Sequence, residues 1–379
     1  MTTLPFQRRR PASVAGLLLS LLWLSGCAAP PTADVLPTPV LITQAVVPTA
    51  TLATDAPAAD TPIPPTLPPP TPTPASNGLA LVTVSEAPAL AAELRGQGWE
   101  VTASVSTAPD GLRAAAQAGA GVVVGVGYAL SDLAAAAEAF PASHFIGLIE
   151  TGPLTAALPA NARAFTQPDA REDQAGFLAG MVAGLATQTD RVAVLADVSG
   201  PVGLKYRNGF LSGVRYVCPQ CRLDTIDLTD SLAVEFGAAE GGKYAALGAD
   251  VLFAAAGPAG DAALQAAAAA GAWVIGAGRD VSAEVFQMGA AAGAERVLTS
   301  VYLDPAAALS AALAEYTAGR PGAGLQPLAL ANGGVRMGPL TDPAGALSAL
   351  DRQDIEQTQI RLADRTLETG VDPLTGVER

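Results

Sequence analysis

Residues 248–280 read GADVLFAAAGPAGDAALQAAAAAGAWVIGAGRD, and this stretch decides the fold. Two apolar runs of strand length, 249–257 and 272–278, flank an alanine-rich helical segment near 260–270. Runs without polar alternation are strands buried on both faces, as in parallel sheets covered by helices. Both runs end in glycine, and the second gives way to Arg279 and Asp280. Ligands of open α/β sheets bind beyond the carboxyl ends of strands, where glycine lets backbone amides approach closely. A parallel sheet with a ligand crevice at 256–257 and 278–280 is the expectation.

The same alternation runs outward in both directions. Strand-like runs at 79–84, 100–105, 120–127 and 144–150 are separated by helical segments near 87–95, 110–118 and 131–139. A second set lies at 191–197, 223–228, 249–257, 272–278 and 297–303, with helical segments near 203–217, 231–247 and 260–270. Strands alternating with helices build parallel sheets from right-handed βαβ units. One eight-stranded barrel is the alternative, but a break in composition around 165–190 favours two sheets. At that break, 172–185 reads EDQAGFLAGMVAGL, with Gly176, Gly180 and Gly184 on one helix face. Such a face permits close approach to a neighbouring helix or sheet. The stretch is bracketed by charges and too short to span a bilayer.

The first 77 residues read differently. Arg8, Arg9 and Arg10 precede the apolar run 14–24, and Leu24-Ser25-Gly26-Cys27 has the form of a bacterial lipobox. A charged start, a short apolar core and small residues at the cut are the marks of an export signal. Residues 1–26 are therefore expected to be a lipoprotein signal peptide and Cys27 the lipidated residue. Residues 28–77 hold nearly half of the chain's 31 prolines, among threonine and alanine. Proline removes backbone donors, so 27–77 is expected to be a disordered tether with no core of its own. The localisation expected is the extracytoplasmic face of the cell membrane, through the N-terminal lipid.

Composition narrows the function. Formal net charge is −14, charged residues are 15% and aromatics 5%, so a basic groove for nucleic acid is not expected. The chain has one histidine, His144, at the start of an apolar strand, where a partly buried strand residue is the ordinary reading. It has no G-x-S-x-G elbow and no P-loop lysine. We expect no enzyme, no cofactor and no metal. Cys218 and Cys221 form a C-P-Q-C motif that follows a helix and precedes a strand. Redox chemistry favours a cysteine at a helix N-terminus, and structural zinc wants four ligands. A surface disulfide is the expectation that suits an exported chain.

The motifs in 118–370, taken in order, resemble the basic membrane protein (BMP) family, lipid-anchored purine-nucleoside receptors of ABC importers. They include AGVVVGVGYAL (120–130), EDQAGFLAGMVAGLATQTDRVAVLADVSGPVGLKYRNGFLSGV (172–214), 248–280 above, VLTSVYLD (297–304) and ALANGGVRMGPL (329–340). The resemblance implies a type I periplasmic-binding-protein fold: two Rossmann-like lobes with parallel sheets, joined by a hinge, clamping a small molecule. It divides 78–379 into lobe 1, about 78–187 plus a C-terminal return at 305–379, and lobe 2, about 188–304. It implies an ABC permease and ATPase as partners; a sensory receptor without transport is the alternative. Ligand-binding candidates are Tyr128, Tyr206, Gly257 and Asp280, all at strand ends or, for Tyr206, on a helix where an aromatic stacks on a base. For Tyr206 the other reading is simple packing, and for Asp280 a rim ion pair with Arg279. The sequence also departs from the family. It lacks the Asp-rich loop ending in Ser-Phe-Asn after the first strand, the aspartate at Gly278, and the lysine at about Leu303.

Overall fold

The computed structural model describes residues 78–342 and 345–379. The signal peptide, Cys27 and the tether fall outside the described residues. Lobe 1 begins β1 (Gly78–Thr83), α1 (Pro88–Gly96), β2 (Glu100–Val105), α2 (Gly111–Gln117), β3 (Val122–Val126), α3 (Leu130–Ala139), β4 (His144–Ile149) and β5 (Ala162–Thr166). The chain then crosses into α4 (Glu172–Ala186), β6 (Arg191–Asp197), α5 (Pro201–Val217), β7 (Arg222–Leu228), α6 (Val234–Ala246), β8 (Val251–Ala255) and α7 (Gly257–Ala269). Next come β9 (Trp273–Ala277), the one-turn α8 (Val281–Glu284) and β10 (Val297–Leu303). It returns through α9 (Pro305–Thr317) and β11 (Gly324–Pro327), then crosses again to β12 (Val335–Met337) and α10 (Ala349–Ala363).

Two six-stranded sheets result. The first has the order β11-β5-β4-β3-β1-β2 and is parallel throughout. The second has the order β12-β10-β9-β8-β6-β7, with β12 alone antiparallel. Each strand run expected from the sequence is a strand, and the α/β two-lobe reading holds. β5, β11 and β12 were not expected.

Packing sets α4, β12 and α10 against the second sheet. α4 packs on α5, β8, β10, β12 and α10. The return to the first lobe is confined to α9 and β11, because β12 pairs with β10 and α10 packs on α4. The reason is steric. Every residue of α4 is buried, which suits a core helix apolar on all sides. Its glycine face meets a matching face on α5: a Cβ at Gly180 would lie 2.0 Å from the Phe210 carbonyl oxygen, and one at Gly213 2.0 Å from that of Phe177. Only backbone-to-backbone contact fits there.

Among the described residues three segments cross between the two sheets, and hydrogen bonds tie them together. Leu328 N–H donates to the Thr166 carbonyl at 3.0 Å and Arg171 N–H to the Leu328 carbonyl at 2.8 Å. Asp304 N–H donates to the Gly334 carbonyl at 2.9 Å. Gln174 bridges further, its Oε1 accepting from Leu330 N–H at 3.0 Å and its Nε2 donating to the Leu362 carbonyl at 3.2 Å.

Candidate functional site

The second sheet reverses its strand order between β6 and β8, the switch point where α/β sheets leave a crevice. A cleft of about 390 Å³ opens there, lined by Asp197, the turn 199–203, Tyr206, Ser231, 255–257 and 277–279. Its walls follow from the strand ends. The first turn of α5 presses down on the end of β6: a Cβ at Gly203 would lie 1.6 Å from the Asp197 carbonyl oxygen. Asp197 in turn accepts from Ser199 N–H at 3.0 Å. The N-caps of α5 and α7 are Gly200 and Ala256, and neither supplies a side-chain acceptor to its helix. The N–H groups of Val202 and Gly203 in α5 and of Gly257 in α7, at the positive ends of two helix dipoles, therefore border one cleft; Pro201 and Pro258 have no N–H, and Ala259 N–H donates to the Ser231 carbonyl at 2.9 Å.

Gly257, expected at a strand end, lines the cleft as the first residue of α7, just past β8, with φ +51°. That left-handed conformation suits glycine and leaves the amide unscreened. Tyr206 lines the cleft yet is 5% exposed. Its ring tilts against Phe253, centroids 6.3 Å apart, and Phe253 stacks on Phe210 at 5.0 Å. Burial pushes its hydroxyl pKa well above the ordinary tyrosine value; the nearby Glu172 charge adds to this and the Gly278 backbone opposes it. Tyr206 is thus both packed and on the cleft floor, with its hydroxyl neutral at any ordinary pH.

Arg279 and Asp280 do not pair with each other. Arg279 lines the cleft and bonds Asp261 and, at 3.2 Å, Glu284. Asp261 is raised above the usual carboxylate range by burial, partly offset by Arg279. Asp280 is the N-cap of α8, its Oδ1 accepting from Ser282 N–H at 3.0 Å and Ala283 N–H at 3.4 Å. An aspartate at an N-cap satisfies orphan helix donors, so Asp280 is a capping residue rather than the rim partner of Arg279. Gly278 has φ +82° and nothing within 4 Å of where its Cβ would be.

Tyr128 is not among the residues that line this cleft. It is 4% exposed among the first lobe's core residues, and its hydroxyl donates to the Ser106 carbonyl. The first lobe's own strand ends bring Val84, Gly127 and Glu150 together: a Cβ at Gly127 would lie 3.4 Å from Glu150 Oε2.

Sequence reading missed the polar cluster beneath the cleft. Lys205 is fully buried, its Nζ 2.5 Å from Glu172 Oε2 and donating to the Ala170 carbonyl at 2.7 Å. Burial raises the Glu172 carboxyl, and Lys205 pulls against that. Asp173, also buried, takes a two-pronged bond from Arg171, both contacts 2.8 Å, and a third from Thr369 at 2.6 Å. The signal available was Lys205 immediately before Tyr206, and the acids Glu172-Asp173 at the head of a helix with no polar face.

Cys218 and Cys221, the C-P-Q-C pair, are joined as a disulfide at the far end of α5, with Cα atoms 5.3 Å apart. His144 is 7% exposed beside Tyr316, and burial, with Arg163 nearby, lowers its imidazole pKa.

Residues 101–366 match the family described as Bmp, ABC transporter substrate-binding protein PnrA-like. Among curated proteins, the CD4+ T-cell-stimulating antigens of Listeria monocytogenes and Listeria innocua are 31% identical over 117 residues, 29% of this chain. The match spans about a third of those relatives' length, 33%. Among solved structures, an ABC transporter solute-binding protein from Conexibacter woesei superposes with TM-score 0.57 at 21% identity, covering 77% of this chain and 97% of that one. A transcriptional activator of the comK gene from Bacillus halodurans superposes with TM-score 0.53 at 15% identity, covering 76% and 98%. At these identities the two structures bear on the fold alone. No helix among the described residues is long and apolar enough to cross a membrane.

Proposed function

The chain belongs to the Bmp family of PnrA-like ABC transporter substrate-binding proteins, and from that membership we propose a lipid-anchored receptor that delivers purine nucleosides, or a closely related small molecule, to an importer. The observation that carries the reading is the cleft at the β6–β8 switch point, floored by Tyr206 and bordered by the N-termini of α5 and α7, neither of which has a side-chain cap. In this reading a flat base lies over the exposed edge of Tyr206. Ligand oxygens take the N–H groups of Val202, Gly203 and Gly257. Asp280 acts at one remove: by capping α8 it fixes the turn at 278–279 that forms the rim. Lobe 1 closes over the bound molecule through Glu150 and its neighbours, and the closed form is what the permease and ATPase engage. Tyr128 has no ligand contact in this account.

The anchor is the lipid on Cys27, placed on the extracytoplasmic face by the signal at 1–26, with 27–77 as the tether. A thermal-shift panel of nucleosides, nucleobases and sugars tests the ligand. A rise in Tm with purine nucleosides supports the reading, and a rise with sugars alone moves the ligand to another class. For the anchor, the Cys27→Ala chain is expected in the soluble exported fraction; retention on membranes after a salt wash counts against lipidation.

A further inference from the structure

A second chemical cluster sits at the other end of α5 from the cleft. The helix has 17 residues, so its ends lie about 25 Å apart at ~1.5 Å per residue. Its C-cap is Cys218, disulfide-bonded to Cys221, and the turn between them is closed by Cys221 N–H donating to the Cys218 carbonyl at 3.0 Å. Asp190, which precedes β6, brings Oδ1 to 3.8 Å from Cys218 Sγ and 3.9 Å from Cys221 Sγ. One atom of each residue, the two sulfurs and a carboxylate oxygen, lies within 4.8 Å of the others.

Disulfide sulfurs carry no proton. A carboxylate held against both of them therefore gains no hydrogen bond from either. The same arrangement becomes favourable when the sulfurs are thiols, or thiolates sharing a cation with the carboxylate. The backbone holds the ligands in place. Asp190 sits at φ +56°, its carbonyl accepting from Arg222 N–H at 2.7 Å. Cys218 is 1% exposed, while Cys221 and Asp190 are half-buried and reachable from solvent. C-x-x-C spacing is the usual way one loop presents two thiolates to a single tetrahedral ion.

We propose that, once reduced, Cys218, Cys221 and Asp190 form a site for a thiophilic divalent cation of the zinc class, with the fourth position open. Two thiolates select a soft ion over calcium or magnesium, and one carboxylate completes three protein ligands. The electron balance is simple. A dithiol reductant gives two electrons and two protons to the S–S bond and leaves as its own disulfide. The cation then displaces two protons from the thiols, so binding strengthens as pH rises. In the oxidised protein the sulfurs are bonded to each other and the site has no thiolate to offer. The proposal stands apart from the receptor reading, since the cleft lies at the opposite end of α5.

The test uses the full chain carrying Cys27→Ala, so that only this pair supplies thiols. Cobalt(II) is titrated into oxidised protein and into protein reduced with a dithiol and freed of it under inert gas. The expected result is one cobalt per reduced chain with the strong absorption of cobalt–thiolate bonds, no such band when oxidised, and displacement by zinc. Asp190→Asn keeps a residue at ease with positive φ and removes one anionic ligand. It should weaken cobalt and zinc at least about tenfold, as loss of even an outer-shell partner does. Its thermal transition in the oxidised state checks that the variant is folded. Reduced protein without the thiolate band, or an Asp190→Asn chain that binds as tightly as its parent, overturns the proposal.

Discussion

Lys205 Nζ donates a 2.7 Å hydrogen bond to the carbonyl of Ala170, fastening the first interlobe crossing to the helix that floors the cleft. The same ammonium stands 2.5 Å from Glu172, with both side chains out of water. A buried pair adds little over an apolar replacement, but breaking it strands the remaining charge. Lys205→Met should therefore lower stability by about 3–5 kcal/mol. The double variant Lys205→Met/Glu172→Leu should recover to a loss of about 1–3 kcal/mol, the residue being the unsatisfied Ala170 carbonyl. Chemical denaturation of the three proteins checks this; equal losses for single and double variants would remove the ion pair from the account.

The α4–α5 contact makes a sharper steric claim. Gly180→Ala places a methyl 2.0 Å from the Phe210 carbonyl oxygen, which is backbone and cannot swing away. Overpacking of this kind should destabilise by about 3 kcal/mol or more. Gly242, in α6, has nothing within 4 Å of its would-be Cβ, so Gly242→Ala should instead stabilise by about 0.5–1 kcal/mol. Melting both variants beside the parent is enough. A neutral Gly180→Ala would mean the helices sit farther apart than described.

Much of this architecture was legible because buried parallel strands write themselves as unbroken apolar runs, as 249–257 and 272–278 do. β5, β11 and β12 were not legible. β5 carries Arg163, which is stretched over Phe165 to reach Glu315; β11 ends in Pro327, and β12 has three residues. The sequence division places α4 with the first lobe, because beyond its first turn a helix apolar all round carries no sign of the sheet it packs on. Its partner was nonetheless written in α5, where Gly209 and Gly213 repeat the four-residue spacing of Gly176 and Gly180. At the site, glycine-ended strands located the crevice. The pairing of Arg279 was illegible, since Asp261 lies 18 residues away. The capping role of Asp280 was open to reading, an aspartate standing before Val281 at a helix start.

His144 offers a pH test free of interference, being the chain's one histidine. Burial first, and Arg163 second, lower its pKa below the ordinary 6.5. Unfolding raises that pKa, so the unfolded chain binds the extra proton between the two values. His144 thus contributes stability that is whole above about pH 6.5 and is lost as pH falls through its folded pKa. His144→Phe, which keeps a ring against Tyr316, should flatten the fall in Tm between pH 7.5 and 5.5. An unchanged slope would assign that pH dependence to carboxylates.

The resemblance to the family implies an aspartate where this chain has Gly278. Its Cβ direction is open, but φ is +82°, so Gly278→Asp should cost about 1 kcal/mol in stability. The added carboxylate on the rim would accept from a ribose hydroxyl, a charge-assisted bond worth about 1.5–3 kcal/mol. The variant should therefore prefer a purine nucleoside over its free base by about tenfold or more relative to the parent. Competition binding measures the ratio; no change in it would put the ribose away from Gly278.

The most direct test of the receptor account is calorimetric titration of purified protein with adenosine, guanosine and inosine, repeated on Tyr206→Leu after its thermal transition shows it folded. Leucine keeps apolar volume on the cleft floor and removes the aromatic face. The account predicts saturable one-to-one binding of at least one nucleoside, weakened about tenfold in Tyr206→Leu. Binding that is untouched by Tyr206→Leu, or the absence of heat with every purine nucleoside, would contradict it.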